Sequence, residues 1–264
     1  QILADIKTGK STFNSVTLDQ KADYLGMQKT KGTSLEKGDI SLSFIEDSQV
    51  FAEQNTSIKS FLGNSPTLLN ASQATNFIFE VQNLTTDKID PVNNIDSKAK
   101  VKDRLQAIQN FGGKLVFKQC ENPIYESTLR IVDSQMPEIL GDALIGFFSK
   151  TFGNRLSQFA DKTYTDDKAD QVHCRLKDFV KSTMLGIFPT HEWDGNLTAN
   201  SILLVNEQGE LVFYHTNKDS ILKEFFYQHT FFDTPSTSRH RFGNLYQENG
   251  KLYFKLNLQL RLAQ

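Results

Sequence analysis

Apolar residues in SQMPEILGDALIGFFSKTF (134–152) and KADQVHCRLKDFVKSTMLGIF (168–188) recur at i, i+3 and i+4, while segments on either side repeat every second residue. The first spacing marks a helix with one buried stripe, the second a half-buried strand. Strands, then helices over 130–188, then strands again is the element order of an α/β (α+β) domain. The 264 residues suffice for one such domain with a sizeable core. We read 1–264 as a single domain with a core over 37–130, a helical middle over 130–188 and a β-rich part over 189–264.

The strand signals are specific. From Asp39 to Glu46 the apolar positions alternate at Ile40, Leu42 and Phe44, and QVFAEQNTSIKSFLG (49–63) reads as the next strand, closed by Gly63. SPTLLNASQATN predicts a loop running into a short helix, with Ser65, Pro66 and Thr67 as start signals. FIFEVQNL predicts a third strand, and VKDRLQAIQNF a helix after a polar stretch. Two hairpins close the chain: NSILLVNEQGELVFYHT, and FGNLYQENGKLYFKLNLQL with Asn249-Gly250 at its turn. Residues 1–36 form a polar, partly helical lead-in. Gln1 stands where Met is expected and no signal-peptide pattern follows, which points to a start upstream.

Composition removes several classes of function. No apolar run reaches the ~18 to 20 residues of a membrane-spanning helix. Cys120 and Cys174 form no Cys-x-x-Cys pair, so a disulfide framework or four-ligand zinc site is disfavoured and reduced cysteines in a cytoplasmic protein are expected. A net charge of -2 argues against a nonspecific DNA coat but not against an enzyme with a local basic cleft. His191, His215 and His229 have no evident Ser or Cys partner for a hydrolase triad. No Walker or Rossmann glycine loop occurs, so no nucleotide cofactor is expected.

Asp39 opens one predicted strand and Lys59 ends the next. If the two strands are antiparallel neighbours, a carboxylate and an ammonium meet, which is the equipment for metal-assisted phosphodiester hydrolysis. The carboxylate holds Mg²⁺, and the lysine orients or deprotonates the attacking water. Ser57 and Lys59 share one strand face, with Ile58 on the other. Asp5-Ile6-Lys7 is a competing Asp-x-Lys at the chain start.

Ser57-Ile58-Lys59-Ser60, Leu62-Gly63, Pro66 through Ser72, and Ala74-Thr75-Asn76-Phe77 together resemble the core of the HpaII-type family of type II restriction endonucleases. Trp193 to Asn200 (WDGNLTAN) and the ending FDTPSTSRHRFGNLYQENGKLYFKLNLQLR are similar to the same family. The resemblance implies a PD-(D/E)xK nuclease: a central mixed sheet flanked by helices, a Mg²⁺ requirement, and cleavage of double-stranded DNA at CCGG. Carried onto this chain, Asp39 is the motif aspartate and Lys59 the motif lysine. Gly38 replaces the usual proline, and Ser57 stands where an acid is expected. The second metal-binding acid must then come from elsewhere. Glu80, on the strand after the lysine, ranks first; Glu53, a neutral oxygen from Asn70 or Gln73, and an upstream glutamate are the alternatives.

Ser238-Arg239-His240-Arg241 is a basic cluster, and arginine pairs bidentately with O6 and N7 of guanine. Arg239, His240 and Arg241 are therefore candidate DNA readers, as are Ser60, Asn70, Gln73 and Asn76 just past the lysine. Lys98, Lys100, Lys102 and Arg104 form a basic run that suits a phosphate backbone or a solvated helix start. Cutting both strands of a palindrome suggests a homodimer, with a monomer acting twice as the alternative. Ser57 at the acid position also motivates the rival, a catalytically silent DNA-binding protein on the same scaffold.

Overall fold

In the computed structural model the described residues are Tyr24, 37–42, 45–46, 49–50 and 54–263. Most of the lead-in, the Asp5-Ile6-Lys7 motif and Glu53 lie outside them. Along the chain, β1 (Ile40–Leu42), β2 (Ile45–Glu46), β3 (Gln49–Val50), β4 (Gln54–Ser60), β5 (Thr67–Leu69) and β6 (Asn76–Gln82) come first. Helices α1 (Ile89–Asn93) and α2 (Lys100–Asn110) lead to β7 (Lys114–Cys120). The helical middle is α3 (Pro123–Val132), α4 (Met136–Ser149), α5 (Leu156–Thr163) and α6 (Asp166–Leu185). The last third runs β8 (Ser201–Val205), β9 (Leu211–His215), α7 (Asp219–His229), β10 (Thr230–Phe232), α8 (Thr237–His240), β11 (Leu245–Glu248), β12 (Lys251–Asn257) and β13 (Leu260–Leu262).

One central sheet was expected, but among the described residues the strands divide into several. A mixed sheet has the order β1-β4-β8-β9, with β4 and β8 parallel and the other pairs antiparallel. An antiparallel sheet, β11-β12-β6-β7, and a small one, β10-β13-β5, stand apart from it. The division follows from β5. The segment 65–76 does not run straight into a helix: Thr67–Leu69 pairs with β13, with Leu68 and Leu69 buried, before a 3-10 turn at Gln73–Thr75. That pairing takes the chain out of the first sheet before β6 begins.

Aromatic residues fill the space between the second sheet and the helices. Phe77 and Phe79, both fully buried, meet Phe117 at ring separations of 5.7 and 6.0 Å. Phe147 of α4 stacks on Phe232 of β10 at 5.1 Å. Each such pair adds about 0.5–1.5 kcal/mol beyond its buried area. The two predicted hairpins are present, and Asn249 and Gly250 both have positive φ (48° and 76°), the geometry a two-residue turn between twisted strands requires.

Candidate active site

Asp39 immediately precedes β1, and the register Ile40↔Thr56 sets it opposite Ser57 of β4. Its backbone N–H donates to the Thr56 carbonyl at 2.8 Å. Its carboxylate turns across the strand pair: Oδ2 accepts from the Ile58 N–H at 2.5 Å and more weakly from Ser57 Oγ at 3.3 Å. The carboxylate is thus fixed beside the residue preceding Lys59. The antiparallel pairing on which the sequence argument depended is present.

Lys59 faces the parallel partner strand at Leu204. Burial pushes its ammonium below the usual lysine range, and the charge of Asp39 opposes that shift. A second lysine joins the pair. Lys37 is pushed down to about 8, first by burial and next by repulsion from Lys59, again against the pull of Asp39. Its ammonium lies 4.2 Å from the Phe188 ring centroid, and its backbone N–H donates to Thr198 Oγ1 at 3.0 Å. Sequence reasoning missed Lys37. The available signal was its place two residues before Asp39, hence on the same side of an extended chain.

The segment WDGNLTAN builds the wall that receives Lys37. The Asp194 carboxyl accepts from the Asn196 backbone and side chain, which holds it below the usual carboxylate range. Trp193 Nε1 donates to the Asn196 carbonyl at 2.6 Å. A Cβ added at Gly186, just after α6, would come within 2.8 Å of that nitrogen, so the turn can pack on the helix end only because the position is glycine. Thr198 N and the Thr198 hydroxyl both donate to the Leu185 carbonyl, at 2.8 and 3.2 Å, which leaves Oγ1 to accept from the Lys37 N–H.

These donors fit a divalent cation held by one protein carboxylate. Asp39 Oδ1 remains for a metal, while Oδ2 is occupied by the backbone of β4. Ser57 is 1% exposed, and its hydroxyl is turned toward Asp39. No group of three or more His, Cys, Asp or Glu side chains able to hold a metal exists among the described residues. A magnesium ion accepts such a poor protein donor set when waters and a substrate phosphate complete its shell.

Glu80 does not join Asp39. It sits on β6 in the other four-stranded sheet, where its carboxylate pairs with Lys251 at 3.0 Å. Sequence reasoning places Glu80 only on the strand after the lysine; β5 pairs with β13 between them, and β6 belongs to the other sheet. Asn76 is also corrected as a DNA contact, because it is fully buried. Its Nδ2 donates to Glu121 at 2.7 Å and to the His240 carbonyl at 2.9 Å, and its Oδ1 accepts from Asn257 at 2.7 Å. Asn70 and Gln73 are exposed, and Ser60 Oγ accepts from Leu62 N at 3.3 Å.

Arg239 and Arg241 are exposed on and just after α8, with Arg241 at φ 53°. Burial and then the Arg239 charge lower the His240 imidazole below its usual value. Arg104 is removed from any phosphate role by burial. Its guanidinium donates to the carbonyls of Asn93, Ile95 and Gly243 and to the Asn244 side chain. His173 bonds Tyr227 and Asp161, a packing role. No helix among the described residues is long and apolar enough to cross a membrane.

The comparisons with known proteins converge. The family model described as HpaII restriction endonuclease matches residues 1–262. The type II restriction enzyme HpaII of Haemophilus parainfluenzae is 32% identical over 276 residues, covering 98% of this chain and 75% of that protein. No solved structure matches. The protein is accordingly an enzyme of the type II restriction class. Within that class, the chain belongs to the HpaII restriction endonuclease family.

Proposed function

We propose that the protein is a Mg²⁺-dependent endonuclease that cuts double-stranded DNA at a short G·C palindrome, CCGG, with the PD-(D/E)xK architecture and as a symmetric homodimer. The observation that carries this is the Asp39 carboxylate bonded to the Ile58 N–H, which sets it beside Lys59 across one strand pair. The parallel neighbour β8 completes a mixed sheet around the two residues.

Asp39 Oδ1 is the metal ligand. A bound Mg²⁺ would neutralise charge on the scissile phosphate and make its water more acidic. Lys59 lies within the influence of Asp39 and orients the attacking water. Burial makes its ammonium a readier proton donor and its amine a more accessible base. Lys37, held by Thr198 and Phe188, brings a second cation to the charge developing on phosphate. Ser57 steadies the Asp39 carboxylate rather than binding metal itself. Arg239, His240 and Arg241 contact DNA bases or phosphates, while Ser60, Asn70 and Gln73 approach the groove beside the cut.

The silent binder remains the second reading, favoured by the buried Ser57 hydroxyl that supplies no negative charge. Digestion of a plasmid carrying CCGG sites, with Mg²⁺, separates the two when the parent is compared with Lys59→Ala. Discrete fragments from the parent alone support the nuclease. Intact DNA with a retained gel shift supports the binder, and equal cutting by both removes Lys59 from the site.

A further inference from the structure

The amino end of α2 faces the loop 234–238 across a cleft of about 560 Å³. Lys98, Lys100, Lys102 and Lys150 border it, and no aspartate or glutamate does. Lys98 and Lys102 form no ion pair among the described residues, whereas Lys100 is partnered by Asp96 at 3.0 Å. Lys150 ends α4 at φ 62°, with its ammonium 4.6 Å from the Phe147 ring centroid. Opposite the lysines stand four hydroxyl residues, Thr234, Ser236, Thr237 and Ser238, over a floor that includes Val101 and Phe148.

Cationic edges, hydroxyl donors and the absence of carboxylates along this lining suit a chain of singly charged phosphodiesters. The α2 N-cap, Ala99, makes no side-chain cap, and Asp103 in the first turn offsets the helix dipole, so the lysines supply the field in the cleft. The hydroxyl wall is also continuous with the reading arginines. Ser236 Oγ caps α8 by accepting from Arg239 N at 3.4 Å, and Arg104 donates to Gly243 in the turn after that helix. A strand seated among the lysines would therefore set the register of Arg239 and Arg241 on base edges, the positioning task that backbone contacts perform in DNA recognition.

We propose that this cleft binds the sugar–phosphate backbone of the DNA flanking the recognition sequence. The inference rests on the DNA-cutting function proposed above and adds a place and a set of residues to it.

The test is the salt dependence of binding by fluorescence anisotropy, with Ca²⁺ in place of Mg²⁺. The duplexes carry CCGG within long flanks or with the flanks trimmed away. Each phosphate neutralised contributes a slope of about 0.9 in log affinity against log salt. Lys98→Ala/Lys102→Ala/Lys150→Ala is expected to lower the slope by roughly two to three on the long duplex and to leave the trimmed one unaltered. Cognate and scrambled long duplexes should lose affinity equally. Ser238→Glu, which adds a carboxylate without removing a lysine, should weaken long-duplex binding in the same salt-dependent way. An unchanged slope for both variants, in a parent that binds and cuts, overturns the cleft alone. A parent that neither binds nor cuts DNA overturns the nuclease function and the cleft with it.

Discussion

The side-chain amide of Asn76 donates to the backbone carbonyl of His240, 164 positions away, at 2.9 Å. One residue at the start of β6 thereby fixes the segment of exposed arginines to the 3-10 turn that follows β5. Asn257 extends the link by donating to the Ser72 carbonyl and to Asn76, and Lys255 closes it on Glu121 at 2.7 Å.

Replacing Asn76 with Ala should be costly, because it strips partners from several buried groups at once. The expected loss is about 2–3 kcal/mol, or a fall in Tm of roughly 4–9 °C. A melt unchanged by the substitution would show that the network is not holding the loop.

Lys59→Ala and Asp39→Asn should each lower the cleavage rate by about a hundredfold or more while DNA binding persists. Single-turnover rates and gel shifts on the same duplex separate the two effects. Lys59→Arg should not restore the rate, since a guanidinium stays charged and is bulkier than the site that buries the amine.

Glu80→Gln should leave cleavage within about twofold of the parent, because its carboxylate is paired with Lys251 in the other sheet, away from Asp39. A hundredfold loss would return Glu80 to the catalytic set and require β6 to approach β4 when DNA is bound.

The His240 imidazole should titrate below the ordinary value of 6.5. The unfolded chain takes up that proton more readily than the folded one. The imidazole's contribution to stability is therefore complete above the ordinary value and is lost as the pH falls toward the folded one. Histidine NMR signals followed from pH 8 to 5 give the midpoint directly, and Arg239→Ala should move it upward.

Legibility varied with how far each feature reaches along the chain. Local spacing found α4, α6, β6 and both terminal hairpins, and the antiparallel pairing of β1 with β4 followed from adjacent strands. What failed was the assignment of neighbours. Glu80 has a strand pattern, but nothing local says that β5 pairs with β13. Asn76 looked like a surface amide because its partners lie 45, 164 and 181 positions away. Lys37 was hidden for the same reason: Thr198, which receives its N–H, is 161 positions distant.

The parallel pairing of β4 with β8 has a temporal side. Thr56 and Ser201 share a 2.7 Å hydrogen bond across 145 positions, so the strand carrying Lys59 gains this neighbour late in synthesis. At roughly 5–20 residues per second, the ribosome adds the missing strand on the order of ten seconds after β4 is made. Until then Asp39 and Lys59 are present without the parallel neighbour of β4. A partly synthesised chain therefore carries Asp39 and Lys59 before it has the mixed sheet that holds them.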